Sequence, residues 1–194
     1  MLNYGVRMRP SFRPAAVALV LAAALSASGC TPDASGEPPA STPSATALFA
    51  SDEEALAAAE EAYRAYLAAV DEVLQGGGLE TASLDAVARG SALAQARADA
   101  SEFASLGYRT VGATNLSTIS LQRFDAEHRN PEAVVDVYVC EDVSQVNLLD
   151  ANGVSLVSID RPPLTPFQAT FGRADGETLV LTSRSAWDGE RPCL

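Results

Sequence analysis

The sequence of 194 residues has no lysine, one histidine and three cysteines. Every basic residue is therefore an arginine, and 25 acidic residues oppose 13 basic ones. Nucleic acids and anionic lipid surfaces require clustered basic side chains, so this composition excludes both as binding partners. The single histidine also leaves the cysteines without companions for a zinc site, and we expect no metal and no cofactor.

The hydrophobic run of residues 15–27 is too short to cross a membrane, which takes about 20 residues. It follows three arginines, Arg7, Arg9 and Arg13, and it ends in small residues. A positive start, a short apolar core and small residues are the three parts of a secretory signal peptide. The sequence therefore predicts a signal peptide over residues 1–29, which begins at Met1 or at Met8.

The signal peptide ends in Ala27-Ser28-Gly29, and Cys30 follows it directly. These four residues resemble the lipobox of bacterial lipoproteins, in which the cysteine is lipidated and the leader is cut just before it. The resemblance implies that Cys30 carries a lipid anchor and that the protein lies on the outer face of the cell membrane. Two acyl chains on one residue are enough for stable anchoring. The alternative is a secreted protein with an incidental cysteine.

Residues 30–48 form a tether between this anchor and a folded domain. Four of the eleven prolines lie among Ser, Thr and Ala in this segment. Such a composition cannot build a core, and proline keeps the chain extended. Residues 49–194 are then long enough for one domain.

The remaining cysteines, Cys140 and Cys193, are an even pair outside the cytoplasm. In that compartment a disulfide is the simplest use of two cysteines. The alternative, a metal site, lacks further ligands because the only histidine is His128. We therefore expect a structural disulfide.

The first half of the domain has helical periodicity. Ser51 and Glu54 have the spacing of a capping box, and the apolar residues that follow recur every three or four positions as far as Gly76. Further apolar patterns predict a short second helix and a third helix that ends before Gly107. The predicted helices span residues 52–75, 84–88 and 92–106.

The second half of the domain alternates with the period of two that is typical of strands. In the strand with the clearest pattern, Val135, Val137 and Val139 face one way, whereas Asp136, Tyr138 and Cys140 face the other. Helices followed by strands predict an α+β fold with the helices packed on one face of a curved antiparallel sheet. The predicted strands are 116–124, 134–143, two strands within 146–158 about an Asn152-Gly153 turn, 164–171 and 178–187.

This layout resembles the NTF2-like (cystatin-like cone) superfamily over most of residues 48–194. The strand that many members insert between the second and third helices is not expected here, because Gly90-Ser91 leaves no room for it. Several motifs also resemble lipoproteins of actinobacteria. They are "LFASDEEALAAAEEAYRAYL", "YVCEDVS", "RPPLTPF" and a late tryptophan followed by a cysteine.

The resemblance implies a cone-shaped cavity, in which ketosteroid isomerases, SnoaL-type cyclases and scytalone dehydratase-like members perform acid/base chemistry. That chemistry needs a general base and an oxyanion donor. Asp136 and Tyr138, on one strand face, come nearest to such a pair, although Asp136 could equally face solvent. The residues that could point inward are Tyr63, Tyr66, Asp136, Tyr138 and Arg184, and both helical tyrosines are also typical core residues.

No other motif indicates catalysis. His128 lies in a polar turn with scattered carboxylates, which is more typical of a solvated hairpin than of a metal site. Nucleophile-elbow, phosphate-loop and paired-cysteine motifs do not occur. We therefore expect a non-catalytic module that binds a protein, an envelope polymer or a small molecule. The alternative is a lipid-anchored enzyme that acts on a small apolar substrate in the cone.

NTF2-like domains often dimerise through the exposed face of their sheet, and the sequence is compatible with this. If the three valines cover the helices, the opposite face carries polar and aromatic side chains, as non-obligate interfaces do. A homodimer and a monomer with a solvated face are both consistent with the pattern. The residues expected on this face are Asp136, Tyr138, Asp142, Thr182 and Arg184.

Overall fold

A computed structural model of the protein describes residues 48–127, 129–174, 178–189 and 193. The signal peptide, Cys30, nearly all of the tether and His128 lie outside the described residues. No helix within the described ranges is both long and apolar enough to cross a membrane. The elements are α1 (Asp52–Gln75), α2 (Leu84–Val87), α3 (Gly90–Leu106), β1 (Arg109–Val111), β2 (Asn115–Phe124), β3 (Val135–Asp142), β4 (Asn147–Leu149), β5 (Leu164–Arg173) and β6 (Leu179–Ala186).

Helix α1 begins at the predicted capping box. The hydroxyl of Ser51 accepts a hydrogen bond from the amide of Glu54 at 3.3 Å, and the Glu54 carboxylate accepts one from the amide of Ala50 at 2.7 Å. The first bond satisfies an amide that the first turn of the helix leaves without a partner, and the second ties the residue before the N-cap to this turn. The helix then presents its buried face, which includes Tyr63 and Tyr66, to the sheet.

The larger sheet is antiparallel in the order β2-β3-β5-β6, and the helices pack against one of its faces. The α+β fold predicted from the sequence is therefore confirmed. Val135, Val137 and Val139 of β3 are completely buried in the core, on the face of the sheet that α1 covers. We call this the inner face, and the opposite one the outer face.

The predicted hairpin within residues 146–158 forms only in part. Its turn is present, with Gly153 at a φ of 81°, but only β4 is a strand, and β4 pairs with β1 in a second, two-stranded sheet. The carboxylate of Asp150 accepts hydrogen bonds from the amides of Asn152 and Val154. These bonds close the turn. Beyond it, the described residues pair with β4 only through a single antiparallel bridge between Leu149 and Ser155.

The connection between α2 and α3 makes one contact with the sheet. Ala88 forms an isolated parallel bridge with Leu181, and the amide of Arg89 donates to the carbonyl of Leu181 at 2.8 Å. No strand forms at this position, as the sequence predicts. The bridge nevertheless fixes the start of α3 against β6.

A bulge in β6 shifts the alternation of its side chains between the two faces of the sheet by one residue. Phe171 pairs with Leu181 and Thr170 pairs with Ser183, so Thr182 is the extra residue between them. Leu181 and Arg184 therefore both point to the inner face, three positions apart.

The expectation that Thr182 and Arg184 share the outer face is wrong because of this bulge. Thr182 is buried, with its Oγ1 2.7 Å from the carbonyl oxygen of Glu132. Arg184 instead bonds inner-face partners on α1 and β3. Homodimerisation through the outer face stays a prediction, on a face that lacks Arg184 and on which Thr182 is not exposed.

The predicted disulfide between Cys140 and Cys193 is confirmed, with their Cα atoms 5.3 Å apart. The ring of Trp187, just beyond β6, packs on Tyr138 of β3 with centroids 4.6 Å apart. Its amide donates to the carbonyl of Pro166 on the intervening strand β5. Trp187 and Cys193, which follow β6, thus contact the outer face of the sheet at Tyr138 and Cys140.

Candidate functional site

A cavity of about 200 Å³ lies between α1, α3, β1 and the inner face of the sheet. Helix α1 contributes more lining residues than any other element, because the stripe that covers the sheet continues towards the C-terminal end of the helix. The rest of the wall comes from α2, α3, β1, the loop before β2, and the ends of β3 and β6. The lining residues are Tyr66, Leu67, Val70, Asp71, Val73, Leu74, Leu84, Ala96, Asp99, Thr110, Thr114, Glu141, Val146 and Arg184.

The turn after β1 is held against α1 and closes one side of the cavity. Gly112 has a φ of 88°, and a Cβ there would collide with the carbonyl of Gln145. Glycine is therefore required by both its conformation and its close packing. The side chain of Gln75 donates to the Gly112 carbonyl at 2.8 Å, and the Asp71 carboxylate accepts from the amide and the hydroxyl of Thr114 at 2.8 and 3.0 Å.

A buried network of three side chains lies at the inner end of the cavity. The hydroxyl of Tyr63 donates to the carboxylate of Glu141 at 2.6 Å. The Nη2 of Arg184 lies 2.7 and 2.8 Å from the two oxygens of the same carboxylate, and its Nε lies 3.1 Å from the Tyr63 hydroxyl. The guanidinium also covers the ring of Phe167 at 3.3 Å from the centroid.

The electrostatics of this network keep Tyr63 neutral and Arg184 charged. Burial raises the pKa of the Tyr63 hydroxyl far above its usual value, and the negative charge of Glu141 raises it further, against the opposing effect of Arg184. Burial alone would lower the pKa of Arg184, but Tyr63 and Glu141 together raise it. Glu141 therefore receives hydrogen bonds from one neutral and one cationic donor.

Two hydroxyl groups that line the cavity have no partner among the described residues. Thr110 is only 8% exposed, and its buried Oγ1 makes no hydrogen bond. Tyr66 contacts the ring of Tyr63, but its hydroxyl accepts and donates no hydrogen bond within the described part of the chain. Burial raises the pKa of Tyr66 as well, so its hydroxyl stays protonated. The lining residues Thr110 and Tyr66 thus carry hydroxyls that no described residue satisfies.

The cavity also has two carboxylates without a basic partner in the described ranges. Asp71 is held by the amide and hydroxyl of Thr114, and Asp99 accepts a hydrogen bond from the side chain of Gln95 at 2.6 Å. The only cation in the lining, Arg184, is already paired with Glu141. The lining thus carries more negative than positive charge.

Asp136 and Tyr138, the acid/base candidates from the sequence, lie on the outer face. The Asp136 carboxylate pairs with Arg123 of β2 at 2.6 Å, and Tyr138 packs on Trp187. Neither residue lines the cavity. The structure does bring Tyr63, Tyr66 and Arg184 to the inner side, where they meet Glu141.

Glu141 is the site residue that sequence reasoning missed. It continues the inward series of Val135, Val137 and Val139 by two positions, and this spacing was the available signal. A carboxylate in an inward position of a strand requires a basic or hydroxyl partner. The described residues contain no group of three or more side chains able to hold a metal ion.

No model of a known protein family matches the chain, and no curated protein matches it. Among solved structures, the chain is similar to the intermembrane space region of the chloroplast protein ARC6, with 17% identity and a TM-score of 0.47 over 68% of this chain and 95% of the other. It is also similar to a de novo designed β-sheet protein, with 15% identity and a TM-score of 0.31 over 69% and 93% of the two chains. Likenesses this distant carry no argument about function.

Proposed function

We propose that the protein is a lipid-anchored, extracytoplasmic module that binds a small molecule without transforming it. The leader and the small-residue box before Cys30 support the anchor and the location. The order of three helices and then an antiparallel sheet supports membership of the NTF2-like superfamily. The cavity beneath α1 is the binding site in this proposal.

The observation that carries the proposal is the unpartnered hydroxyl of Thr110. A buried hydroxyl without a hydrogen bond destabilises a fold by about 1–3 kcal/mol. At this position a valine would fill nearly the same volume without that cost. A bound molecule that bonds Thr110 and Tyr66 gives both hydroxyls the partners that the fold withholds.

A binding role is favoured over catalysis by the state of the charged groups in the cavity. General acid/base chemistry needs a group that is free to exchange a proton with the substrate. The Glu141 carboxylate is engaged by Tyr63 and by a two-point contact with Arg184. Asp136 and Tyr138 lie on the other face of the sheet, and the cavity carboxylates Asp71 and Asp99 already accept hydrogen bonds from Thr114 and Gln95.

The cavity proposal is tested by filling the cavity. Ala96 of α3 lines it and is buried, whereas Ala98 on the same helix is exposed. A panel of small amphipathic compounds is screened against residues 48–194 by ligand-observed NMR. We expect Ala96→Leu to abolish the binding seen with the unmodified domain, and Ala98→Leu to retain it.

Circular dichroism checks that both leucine variants keep the helix and strand content of the parent domain. Equal binding by the two variants would place the ligand elsewhere and overturn the proposal. If Ala96→Leu does not fold, Val146→Leu, at the opposite wall of the cavity, serves as the second filling variant.

The lipid anchor has a separate test. Full-length protein with Cys30→Ser should leave the detergent phase in a membrane partition experiment, whereas unmodified protein should remain in it. Continued partitioning of the variant would contradict lipidation at Cys30.

A further inference from the structure

We infer that the cavity binds a small primary ammonium compound with an apolar body. This inference rests on the proposed function and adds the chemical class of the ligand. It follows from three properties of the lining: its hydrogen-bonding groups, its charge and its size.

The lining holds both donors and acceptors, and its charged acceptors outnumber its charged donors. The carboxylates of Asp71 and Asp99 accept only, and the hydroxyl oxygens of Thr110 and Tyr66 have unused lone pairs. On the donor side, Nε and Nη2 of Arg184 are already engaged. A primary ammonium carries three donors and no acceptor, so it complements this set better than a carboxylate or a phosphate does.

The charge of the lining favours the same class. Glu141 and Arg184 neutralise one another, which leaves Asp71, half-buried, and Asp99, exposed at the rim, as the carboxylates of the lining that have no basic partner among the described residues. A carboxylate close to a cation in such a site attracts it more strongly than in bulk water, because the surrounding protein screens the charges less. An anion would meet repulsion from both residues.

The size and the apolar part of the lining set the body of the ligand. A dry cavity of about 150 Å³ holds benzene. The cavity of about 200 Å³ therefore accommodates a six-membered ring with a short polar arm. Leu67, Val70, Leu84 and Val146 line it and would contact such a ring.

A groove on the surface of α1 leads to this cavity. It has a volume of about 450 Å³ and shares Leu67, Asp71 and Thr114 with the cavity lining. The hydrogen bonds from Thr114 to Asp71 thus lie at the boundary between the groove and the interior. The groove is also lined by Arg64 and Glu72, and a cation that enters by this route reaches the Asp71 carboxylate at the boundary with the cavity.

The test uses three probes of nearly equal size with different head groups: benzylamine, benzyl alcohol and benzoate. Their affinities for residues 48–194 are measured by isothermal titration calorimetry at pH 7, where benzylamine is an ammonium. We expect benzylamine to bind at least about tenfold more tightly than benzyl alcohol, because a charged hydrogen bond outweighs a neutral one. Benzoate should show no binding.

Two variants of lining residues, Asp71→Asn and Thr110→Val, link the probe to the cavity, and Glu61→Gln is the control. Asp71→Asn keeps an oxygen that can accept a hydrogen bond from Thr114 but removes the charge. It should therefore lower the affinity for benzylamine about tenfold and leave the affinity for benzyl alcohol unchanged. Glu61→Gln, an exposed residue on the same helix, removes an equal charge outside the cavity and should change neither affinity. Thr110→Val should raise the Tm of the free protein by about 3 °C and weaken benzylamine.

The outcomes separate the inference from the proposed function. If benzyl alcohol or benzoate binds as tightly as benzylamine, the ligand class is wrong while the cavity remains a binding site. If Asp71→Asn and Glu61→Gln weaken benzylamine equally, the effect is one of net charge and the inference is overturned. If no probe binds and Thr110→Val has the parent Tm, the proposed function fails as well.

Discussion

Strand β3 carries one acidic residue on each face that pairs with an arginine from another strand, and the two pairs differ in almost everything else. On the inner face Glu141 pairs with Arg184, and their side chains are 6% and 23% exposed. On the outer face Asp136 pairs with Arg123, and the corresponding values are 13% and 51%. The shortest nitrogen–oxygen distances are nearly equal, at 2.7 and 2.6 Å.

The comparison teaches that the surroundings of an ion pair, rather than its length, decide what its loss costs. The inner pair has a tyrosine hydroxyl and an aromatic ring as further partners, and water has much less access to Glu141 than to Asp136 if the arginine is removed. The outer arginine is half exposed, so water and salt can solvate Asp136 in its absence. Removal of one partner from a buried pair costs about 3–5 kcal/mol, whereas exposed pairs contribute about 0–1 kcal/mol.

The largest expected effect is therefore that of Arg184→Met. This variant leaves the Glu141 carboxylate buried without a counter-charge and should lower the free energy of unfolding by about 3–5 kcal/mol, measured by urea denaturation. The double variant Glu141→Leu with Arg184→Met removes both charges and should recover most of the loss. A loss below about 1 kcal/mol in the single variant would show that the two faces are equivalent.

The substitution Tyr63→Phe should cause the next largest loss of stability, and this loss should depend on pH. Loss of the hydroxyl removes a donor to Glu141 and should cost about 1–3 kcal/mol at neutral pH. Because the folded-state pKa of Tyr63 lies above its unfolded value of about 10, its stabilising contribution is complete below pH 10 and declines as the pH rises above that value.

In urea titrations between pH 9 and about pH 11, the free energy of unfolding should accordingly fall less steeply with pH in Tyr63→Phe than in the parent protein. Tyr138→Phe, on the outer face, is the matched control and should leave the slope unchanged. Identical slopes for the parent and Tyr63→Phe would contradict the assignment of a raised pKa to Tyr63.

The smallest expected effect is that of Arg123→Ala on the outer face. We expect a loss of at most about 1 kcal/mol in low salt, and less at about 1 M sodium chloride, where exposed charges are screened. The measurement is the difference in urea midpoint between the two salt conditions. A loss that is large and insensitive to salt would show that the outer pair is as isolated from solvent as the inner one.

Local patterns predicted the elements whose formation depends on nearby residues. The capping box of Ser51 and Glu54 gave the start of α1, and the alternation of the three valines gave the orientation of β3. The order of helices and strands predicted the fold class, and the predicted extracytoplasmic location, with its even pair of cysteines, predicted the disulfide. These signals act within a few residues, or follow from composition alone.

The remaining features depend on contacts between distant parts of the chain. The hydroxyl of Thr182, the extra residue of the bulge, lies within hydrogen-bond distance of the carbonyls of Glu132 and Thr170. Both partners are distant in sequence, so no residue adjacent to Thr182 signals that Arg184 turns inward. The pairing of β1 with β4 joins two segments of three residues that are too short for a periodic pattern. Tyr63 and Arg184 lie 121 residues apart, and their contact follows only once the sheet is assembled.

The Cys140–Cys193 bond also has a topological consequence. It closes a covalent ring with a sequence separation of 53 residues, and this ring contains the end of β3 and all of β4, β5 and β6, while the helices, β1 and β2 lie outside it. A chain pulled from residues 49 and 194 can extend only around the ring, so the bond removes roughly 180 Å from its contour length. In a single-molecule extension experiment, reduction of this one bond would therefore release a discrete length of chain that contains two strands of the sheet.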